Sequence, residues 1–552
     1  MRRISPFAIG LLLVAAAQAL FAADSFLPEN SKFTGAEAWV PMRDGKKLAA
    51  DVYVPKAANG PLPTILIQTP YDKQPMRRFF NGPGDPPNGP LFGSTDYVFV
   101  ITDWRGRSAS ADAMTPTAFP GGAEDGYDTI EWVVDQPWSN GKICTWGPSA
   151  LGRVQYQTAS AQHPAHICAA PSVMPLNLTY DIYFPGGALW EEFVDRLGTL
   201  GFDRRAQLIA DPVLNDTWRE LERTTFLRPA QMQIPMFIYG GWFDIYADSV
   251  IETYQAIRSG GGLAAQTGTR LMMGPWIHGS GEPAQGDLVF ANAENYGNER
   301  ALAFFEHHLR GVQNDETNRA AITYYQMGEN EWRTTDSWPP ADVKHRDFYL
   351  SSDGALRTGP AAGRSKVFVI KADPENPVPT VGGHLLSREN GRGPMDQREK
   401  VESREDVIVF STGVLEEDLA VTGQPLVRLF VSTDGPDTDF TALLTDVYPD
   451  GRSIVIAEGI QRLRFREGVD REVMAAPDEV YEIEIELQNT AITFKAGHRA
   501  RLILASSSSP HWSVNPNDGG VLYDGHEGRV ATNAIHTGAG SLSRLVLPVV
   551  GR

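Results

Sequence analysis

Three residues of complementary chemistry follow predicted buried strands along the chain. Ser149 lies in the stretch Gly-Pro-Ser-Ala-Leu-Gly, Asp244 ends the stretch Gly-Gly-Trp-Phe-Asp, and His278 ends the stretch Gly-Pro-Trp-Ile-His. A serine hydroxyl is a weak nucleophile until a base removes its proton, and an acid must in turn orient that base. The three residues therefore predict nucleophilic catalysis by a serine, provided that the fold brings them together.

Ser149 is expected at a sharp turn between a strand and a helix, which exposes the serine oxygen. Residues 142–146 predict the strand and residues 150–163 predict the helix. Glycines flank such a turn because larger side chains would collide there. The second glycine, Gly152, comes one residue later than in the usual Gly-x-Ser-x-Gly pattern. Taken alone the motif is weak, and the alternative is that Ser149 only caps the helix.

The order Ser…Asp…His is that of the triad in α/β-hydrolases and not that of the chymotrypsin or subtilisin folds. Asp244 and His278 each follow a predicted strand, where ligands of α/β sheets bind. The alternative for Asp244 is a helix cap, for which Asp248 is the better candidate. The alternative for His278 is a structural histidine. Together with Ser149, the positions predict a Ser-His-Asp triad.

An oxyanion hole is the remaining requirement. In α/β-hydrolases one donor is the backbone N–H after the nucleophile, which is that of Ala150 here. A second donor comes from the loop after an earlier strand, residues 69–73 in this chain. The hydroxyl of Tyr71 is the candidate donor in that loop, and the alternative is an aromatic ring that packs beneath a cap.

The elements that must position these residues alternate between strands and helices. Continuous apolar runs at 64–69, 97–103 and 167–172 are typical of strands buried on both faces of a parallel sheet. Residues 124–136 carry apolar side chains at helical spacing and end before Pro137. Such alternation predicts an α/β domain.

Two later regions depart from the alternation. Residues from about 174 to 233 have a helical pattern rich in aromatics, which predicts a cap over the carboxyl edge of the sheet. After about residue 317, short alternating segments between turn residues predict an all-β jelly roll. The predicted fold is an α/β hydrolase with a helical cap insertion, followed by an all-β jelly-roll domain. The predicted boundaries are 1–22 for a signal peptide, 23–173 and 234–316 for the catalytic domain, 174–233 for the cap, and 317–552 for the jelly-roll domain.

Composition and charge limit the partners. The 552 residues carry a formal net charge of −19, which argues against nucleic acid because phosphate binding needs clustered Lys and Arg. A positive start, an apolar run at 7–20 and small residues after it predict a secretory signal peptide; an uncleaved anchor is the alternative. No other stretch is long enough to cross a bilayer. We expect a periplasmic or secreted protein that acts on a small-molecule ester or amide, with the oligomeric state open, a homo-oligomer included.

The two cysteines, Cys144 and Cys168, lie in neighbouring predicted strands. Neighbouring parallel strands rarely present side chains at bridging geometry, so we expect two buried free thiols. No spacing of the Cys-x-x-Cys or His-Glu-x-x-His kind is present, and no cofactor or metal is expected. The acidic turn from Asp434 to Asp439 is interpreted as ordinary turn acids rather than a calcium site.

Several further motifs support one family resemblance. The motifs in the first part of the chain are Pro-Tyr-Asp-Lys at 70–73, Thr-Asp-Trp-Arg-Gly at 102–106, and the segments 147–152, 241–244 and 274–278; those in the β domain are 437–440, 446–451 and 515–517. Over nearly the whole mature chain they resemble the α/β-hydrolase family of cocaine esterase, X-prolyl dipeptidyl aminopeptidase, α-amino acid ester hydrolase and glutaryl-cephalosporin acylase. The resemblance implies the nucleophile Ser149, the base His278, the acid Asp244, and oxyanion donors at Tyr71 and Ala150.

Two positions depart from the family pattern. The elbow tyrosine of the family is Ala150 here, which keeps the backbone donor but changes the shape of the pocket. The amino acid ester hydrolases carry acidic residues just after the triad acid, which hold a substrate ammonium; here those positions are Tyr246 and Ala247. We therefore expect an apolar acyl pocket, because no fixed charge offsets the burial of an ammonium.

The expected function is a secreted serine hydrolase that cleaves carboxylic esters, or amides, through an acyl-enzyme intermediate. An esterase is favoured over an X-prolyl dipeptidyl aminopeptidase, and a glutaryl or β-lactam acylase comes third. A different class is a catalytically dead carbohydrate-binding protein, which the presence of all three triad residues disfavours.

Overall fold

The computed structural model describes residues 25–27, 32–81, 90–116, 121–279, 281–360 and 365–551. The predicted signal peptide at 1–22 lies outside these ranges. Within them, no helix is both long and apolar enough to cross a membrane.

The first thirteen strands of the described chain form a large mixed sheet and a separate hairpin. They are β1 (Ser25–Phe26), β2 (Phe33–Pro41), β3 (Lys47–Pro55), β4 (Leu62–Thr69), β5 (Val98–Asp103), β6 (Ser139–Pro148), β7 (His166–Ser172), β8 (Phe237–Phe243), β9 (Arg270–Ile277), β10 (Ala284–Gln285), β11 (Leu288–Val289), β12 (Ile322–Gln326) and β13 (Glu331–Thr335). β10 and β11 are the hairpin, and the sheet order is β1-β2-β3-β5-β4-β6-β7-β8-β9-β12-β13. The strands from β5 to β12 in this order run parallel.

Helices cover the parallel sheet, as its buried strands require. They are α1 (Arg78–Asn81), α2 (Pro90–Gly93), α3 (Ala123–Val134), α4 (Ala150–Ser160), α5 (Tyr180–Tyr183), α6 (Glu191–Thr199), α7 (Arg205–Ala210), α8 (Asp216–Thr225), α9 (Ala247–Gly260), α10 (Leu263–Gly268) and α11 (Tyr296–Arg310). On α3, Ile130 and Val133 are buried against strand residues such as Leu66 and Val100. The four helices α5 to α8 lie between β7 and β8, and residues 174–236 are called the helical insertion below.

The C-terminal part is rich in antiparallel strands. They are β14 (Val343–Leu350), β15 (Leu356–Arg357), β16 (Lys366–Ala372), β17 (Ile408–Ser411), β18 (Leu419–Gly423), β19 (Leu426–Thr433), β20 (Asp439–Val447), β21 (Ser453–Arg462), β22 (Tyr481–Glu486), β23 (Thr490–Phe494), β24 (Arg499–Ala505), β25 (Ala531–Thr537) and β26 (Arg544–Val550). They form a nine-stranded and a four-stranded sheet. One apolar cluster runs from the central sheet into these strands, so the two parts share a core.

The central sheet continues beyond the predicted domain boundary at residue 317. β12 pairs in parallel with β9 and carries β13 at its other edge. These two strands therefore belong to the sheet of the α/β part, although the sequence pattern groups them with the β-rich part. The sequences of β12 and β13 show the same short alternating pattern as the C-terminal strands, so only the strands with which they pair show to which sheet they belong.

The prediction of two free thiols is wrong, because Cys144 and Cys168 form a disulfide. Cys144 in β6 is the direct register partner of Cys168 in β7, and their Cα atoms are 4.7 Å apart. That separation lies within the range that a disulfide spans. The bond is fully buried and joins the strand that leads to Ser149 to its neighbour.

Candidate active site

Ser149 lies at a strained turn between β6 and α4. Its backbone has φ of 56° and ψ of −126°, and a positive φ is uncommon for a residue with a side chain. A Cβ at Gly147 would lie 2.5 Å from the Cβ of Leu151, and one at Gly152 would lie 3.1 Å from the carbonyl oxygen of Ser172. Both glycines therefore allow close packing at the turn, and Gly152 does so although it comes one residue later than in the usual pattern.

The side chain of Ser149 does not cap the helix. Ser149 holds the N-cap position of α4, but its side chain makes no capping hydrogen bond. Its backbone N–H donates to the carbonyl of Ser172 at 2.9 Å, which ties the turn to β7. The hydroxyl is therefore left to face the neighbouring cavity.

Asp244 and His278 are in direct contact. Asp244 Oδ2 lies 2.7 Å from His278 Nδ1, and Asp244 Oδ1 accepts a hydrogen bond from the backbone N–H of Tyr246 at 2.8 Å. The aspartate side chain is fully buried, whereas that of His278 is 12% exposed. Since a carboxylate only accepts, Nδ1 carries the hydrogen, and Nε2 of the neutral ring keeps the lone pair that a general base uses.

Asp248 does not have the capping role predicted for it. α9 begins at Ala247 without a side-chain cap. Asp248 Oδ1 instead accepts hydrogen bonds from the backbone N–H and the side-chain amide of Asn489, at 2.8 and 2.9 Å. The prediction of a cap is wrong because Asp248 connects α9 to the C-terminal sheets.

Tyr71 and Ala150 line the same cavity as Ser149. The hydroxyl of Tyr71 lies within hydrogen-bonding reach of the Ser149 side chain. Desolvation raises the pKa of Tyr71, and the hydrogen bond with Ser149 opposes this rise, so the phenol keeps its proton near neutral pH. Ala150 is the first residue of α4, where backbone N–H groups have no acceptor within the helix. Both positions can thus present a donor beside the serine.

Buried charged groups fix the position of the loop that carries Tyr71. The backbone N–H of Lys73 donates to Asp103 Oδ1 at 2.7 Å, and Lys73 Nζ lies 2.6 Å from the buried Asp51. Burial raises the pKa of Asp103 to about 6. Asp103 belongs to the Asp-x-Arg-Gly segment, so that segment positions the Tyr71 loop.

A cavity of about 780 Å³ joins the site residues. Tyr71, Ser149, Ala150 and His278 all line it, although no direct hydrogen bond joins the side chains of Ser149 and His278 among the described residues. Such bonds are often long in unliganded enzymes. Asp244 lies behind His278, away from the lining. The structure therefore brings all five predicted site residues to one edge of the sheet.

The cavity walls come from three parts of the chain. The α/β part supplies the candidate site residues, the helical insertion supplies residues such as Leu197 and Phe202, and a C-terminal loop supplies 386–389 and Arg392. Glu192 in α6 holds that loop, because its carboxylate accepts from the backbone N–H groups of Leu386 and Ser387.

The lining is more charged than the sequence predicts. Apolar side chains are present, as expected for an acyl pocket, but arginines share the wall. The lining arginines are Arg107, Arg153, Arg196, Arg204, Arg388 and Arg392. Their segments carry no shared motif, so only their common position in space reveals them.

The acids of the turn at 434–439 are engaged within the protein. Asp437 Oδ2 lies 2.7 Å from Arg464 Nε, and Asp439 Oδ2 lies 2.9 Å from Arg462 Nη2. All four side chains are buried. The pair of Asp439 and Arg462 connects β20 to β21, and the pair of Asp437 and Arg464 connects the segments next to these strands.

Comparisons with known proteins match both parts of the chain to one family. Residues 44–207 and 202–280 match the X-Pro dipeptidyl-peptidase (S15 family) model, and residues 314–546 match the X-Pro dipeptidyl-peptidase C-terminal non-catalytic domain. The chain is 32% identical over 576 residues to the cocaine esterase of Rhodococcus sp. (strain MB1 Bresler), which covers 93% of this chain and 98% of that protein.

Solved structures show the same architecture. An aminopeptidase from the marine sediment archaeon Thaumarchaeota archaeon has a TM-score of 0.82 at 26% identity, covering 96% of this chain and 98% of that one. An α-amino acid ester hydrolase has a TM-score of 0.82 at 24% identity, covering 95% of this chain and 98% of that one, and shows the shared fold. The protein is thus an α/β-hydrolase with a large β-rich C-terminal domain. It belongs to the family of serine hydrolases that includes cocaine esterase and the X-Pro dipeptidyl-peptidases of family S15.

Proposed function

We propose that the protein is a carboxylic esterase that uses Ser149, His278 and Asp244 as a catalytic triad. The observation that carries the proposal is the 2.7 Å contact between Asp244 and His278 at the sheet edge where Ser149 lines the cavity. The relationship to cocaine esterase supports ester substrates.

The reaction follows from the positions of these groups. Ser149 Oγ attacks the ester carbonyl while His278 Nε2 takes its proton, and Asp244 stabilises the imidazolium. The Tyr71 hydroxyl and the Ala150 N–H stabilise the oxyanion of the tetrahedral intermediate. His278 then protonates the departing alcohol. In the second half of the reaction, water attacks the acyl-enzyme while His278 takes its proton, and His278 returns a proton to Ser149 as the carboxylic acid leaves.

The cavity favours an ester over the free N-terminus of a peptide. A dipeptidyl peptidase must hold a substrate ammonium, and the positions that follow the acid are Tyr246 and Ala247. Only one carboxylate, Glu389, joins the six arginines on the cavity wall as described. These arginines would repel an ammonium, which disfavours the X-prolyl alternative.

We also propose a more detailed architecture and a cellular location for the protein. We interpret the helical insertion as a cap, because it supplies part of the cavity wall above Ser149, and the C-terminal strands as a jelly roll, because they form two antiparallel sheets. The buried disulfide agrees with an oxidising compartment, in support of a periplasmic or secreted protein.

The test compares initial rates on p-nitrophenyl butyrate and glycyl-prolyl-p-nitroanilide. We expect ester turnover that Ser149→Ala abolishes and that Ser160→Ala, a change at the far end of the same helix, retains. Prompt anilide release would instead establish a dipeptidyl peptidase. Turnover that survives in Ser149→Ala would reject the nucleophile. Inactivity toward a broad ester panel, with retention on a polysaccharide column, would support the carbohydrate-binding class.

A further inference from the structure

The cavity beside Ser149 concentrates positive charge in an acidic protein. Six arginines line the described wall against one carboxylate, that of Glu389, whereas the whole chain carries a formal net charge of −19. Composition therefore does not account for this excess. A cleft lined by one sign of charge attracts ligands of the opposite sign, so the cavity is suited to an anion.

Within the described residues none of the six lining arginines forms an ion pair, and Arg153 is the one nearest to Ser149 along the chain. It lies on α4, one turn after Ser149, and in the described part of the chain its side chain makes no hydrogen bond or ion pair. By contrast Arg105, on a nearby loop, is paired with both Asp125 and Asp44. Desolvation lowers the pKa of Arg153, and the charge of Arg204 lowers it further. The side chain of Arg153 is partly buried, and an unpaired charge that is partly removed from water is unfavourable, so an anionic ligand would stabilise it.

The surroundings of Arg153 offer further donors. Tyr183 and Tyr246 lie beside it and line the same cavity, and neither phenol is hydrogen-bonded within the described residues. The ring of Tyr246 also packs edge-on against His278, with centroids 6.0 Å apart. An anion at Arg153 would therefore lie close to the reacting ester.

The cavity also has room for a substrate tail at this point. Arg153, Leu178, Tyr183 and Arg204 line both the main cavity and a second cavity of about 330 Å³. Arg153 thus lies where the two cavities meet. A substrate anchored there can extend beyond the immediate neighbourhood of Ser149.

We propose that Arg153, with Tyr183 and Tyr246, binds a carboxylate of the substrate, so that the preferred substrates are esters with an anionic group. A guanidinium and a carboxylate form two parallel hydrogen bonds, which fixes the ester relative to Ser149. This proposal rests on the proposed esterase function and names its substrate class. Arg153 is a specificity-determining residue in this proposal, and Ser149 and His278 carry out the chemistry.

The test uses two matched ester pairs that differ in one charge. Monoethyl adipate is compared with diethyl adipate, and 4-acetoxybenzoate with its methyl ester, which places the carboxylate on the acyl or the alcohol side. We expect kcat/KM to favour the anionic member of at least one pair by about tenfold or more. Arg153→Ala should abolish this ratio and Arg153→Lys should restore part of it. Arg219→Ala, which removes an equal charge from the exposed face of α8, should keep the ratio.

The outcomes separate this proposal from the esterase function. A preference for the neutral ester in both pairs, or a ratio that survives in Arg153→Ala, would overturn the anion subsite while Ser149-dependent esterase activity stands. If no ester is hydrolysed, the esterase function fails, and calorimetry with adipate still decides the subsite. Binding that Arg153→Ala removes would support it, and equal or absent binding would reject it.

Discussion

His384 Nε2 lies 2.7 Å from the backbone carbonyl oxygen of Trp242, two residues before Asp244. Because a carbonyl only accepts, the imidazole donates this bond. The other ring nitrogen of His384 lies 3.2 Å from Glu458 in β21. The C-terminal sheets therefore hold the backbone turn that presents Asp244 to His278.

We predict that His384→Ala lowers kcat for p-nitrophenyl butyrate by roughly tenfold to a hundredfold, because a small displacement of a catalytic group is costly. His384→Gln retains a donor and should restore much of kcat, which loss of packing alone would not allow. His345→Ala, at an exposed histidine of β14, is the control. Equal kcat in His384→Ala and the wild type would contradict the positioning role.

Asp244→Asn should lower kcat by about 10³ to 10⁴, because an amide no longer fixes the tautomer of His278 or stabilises its cation. Steady-state kinetics on p-nitrophenyl butyrate measures the loss, with circular dichroism to show that the variant is folded. Asp248→Asn is the matched control in the same region. A loss below about tenfold would remove Asp244 from the triad.

Tyr71→Phe should lower kcat by about 10² to 10³ with little change in KM, since an oxyanion donor acts in the transition state. The control is Tyr53→Phe, because the hydroxyl of Tyr53 is buried without a partner in the described structure. If KM rises and kcat is unchanged, Tyr71 contributes to substrate packing instead.

The stability of the fold should depend on pH through Asp103, whose pKa burial raises to about 6 from an ordinary 3.8. A raised carboxyl pKa means that the folded state binds the proton more tightly. Its contribution is fully present below about pH 4 and is lost as the pH rises through about 6. We therefore expect the difference in apparent Tm between wild type and Asp103→Asn to shift in favour of the variant between about pH 4 and about pH 7. A constant difference across this range would show that Asp103 does not titrate there.

Removal of the disulfide should destabilise the protein. Cys144 and Cys168 are separated by 24 positions in the sequence, and closure of a loop of this length contributes about 3 kcal/mol in the chain-entropy model. The double variant Cys144→Ala/Cys168→Ala should show a lower apparent Tm by calorimetry. Because the bond is buried, the wild type is denatured and refolded with reductant present, and this treatment should lower the Tm of the wild type. The same treatment should leave the Tm of the double variant unchanged. An unchanged Tm in the double variant would contradict the expected contribution.

Local pattern was sufficient to predict which residues meet at the candidate site. The turn at Ser149 depends on the nearby Gly147 and Gly152, and each strand that precedes a site residue is a short apolar run. These signals are visible in one sequence because they act over a few residues. The order of Ser149, Asp244 and His278 then restricts the fold in which they meet.

The tertiary structure decided the features that depend on which distant segments become neighbours. The register of β6 and β7 brings Cys144 to Cys168, and β12 joins the central sheet although its pattern resembles that of the C-terminal strands. Arg153 and the arginines from the helical insertion and the C-terminal loop form one positive cavity only after folding. Periodicity reports whether a side chain is buried and on which face, but not what it is buried against. The sequence alone thus determined which five residues were expected to meet at the candidate site, and packing determined the charge that surrounds them.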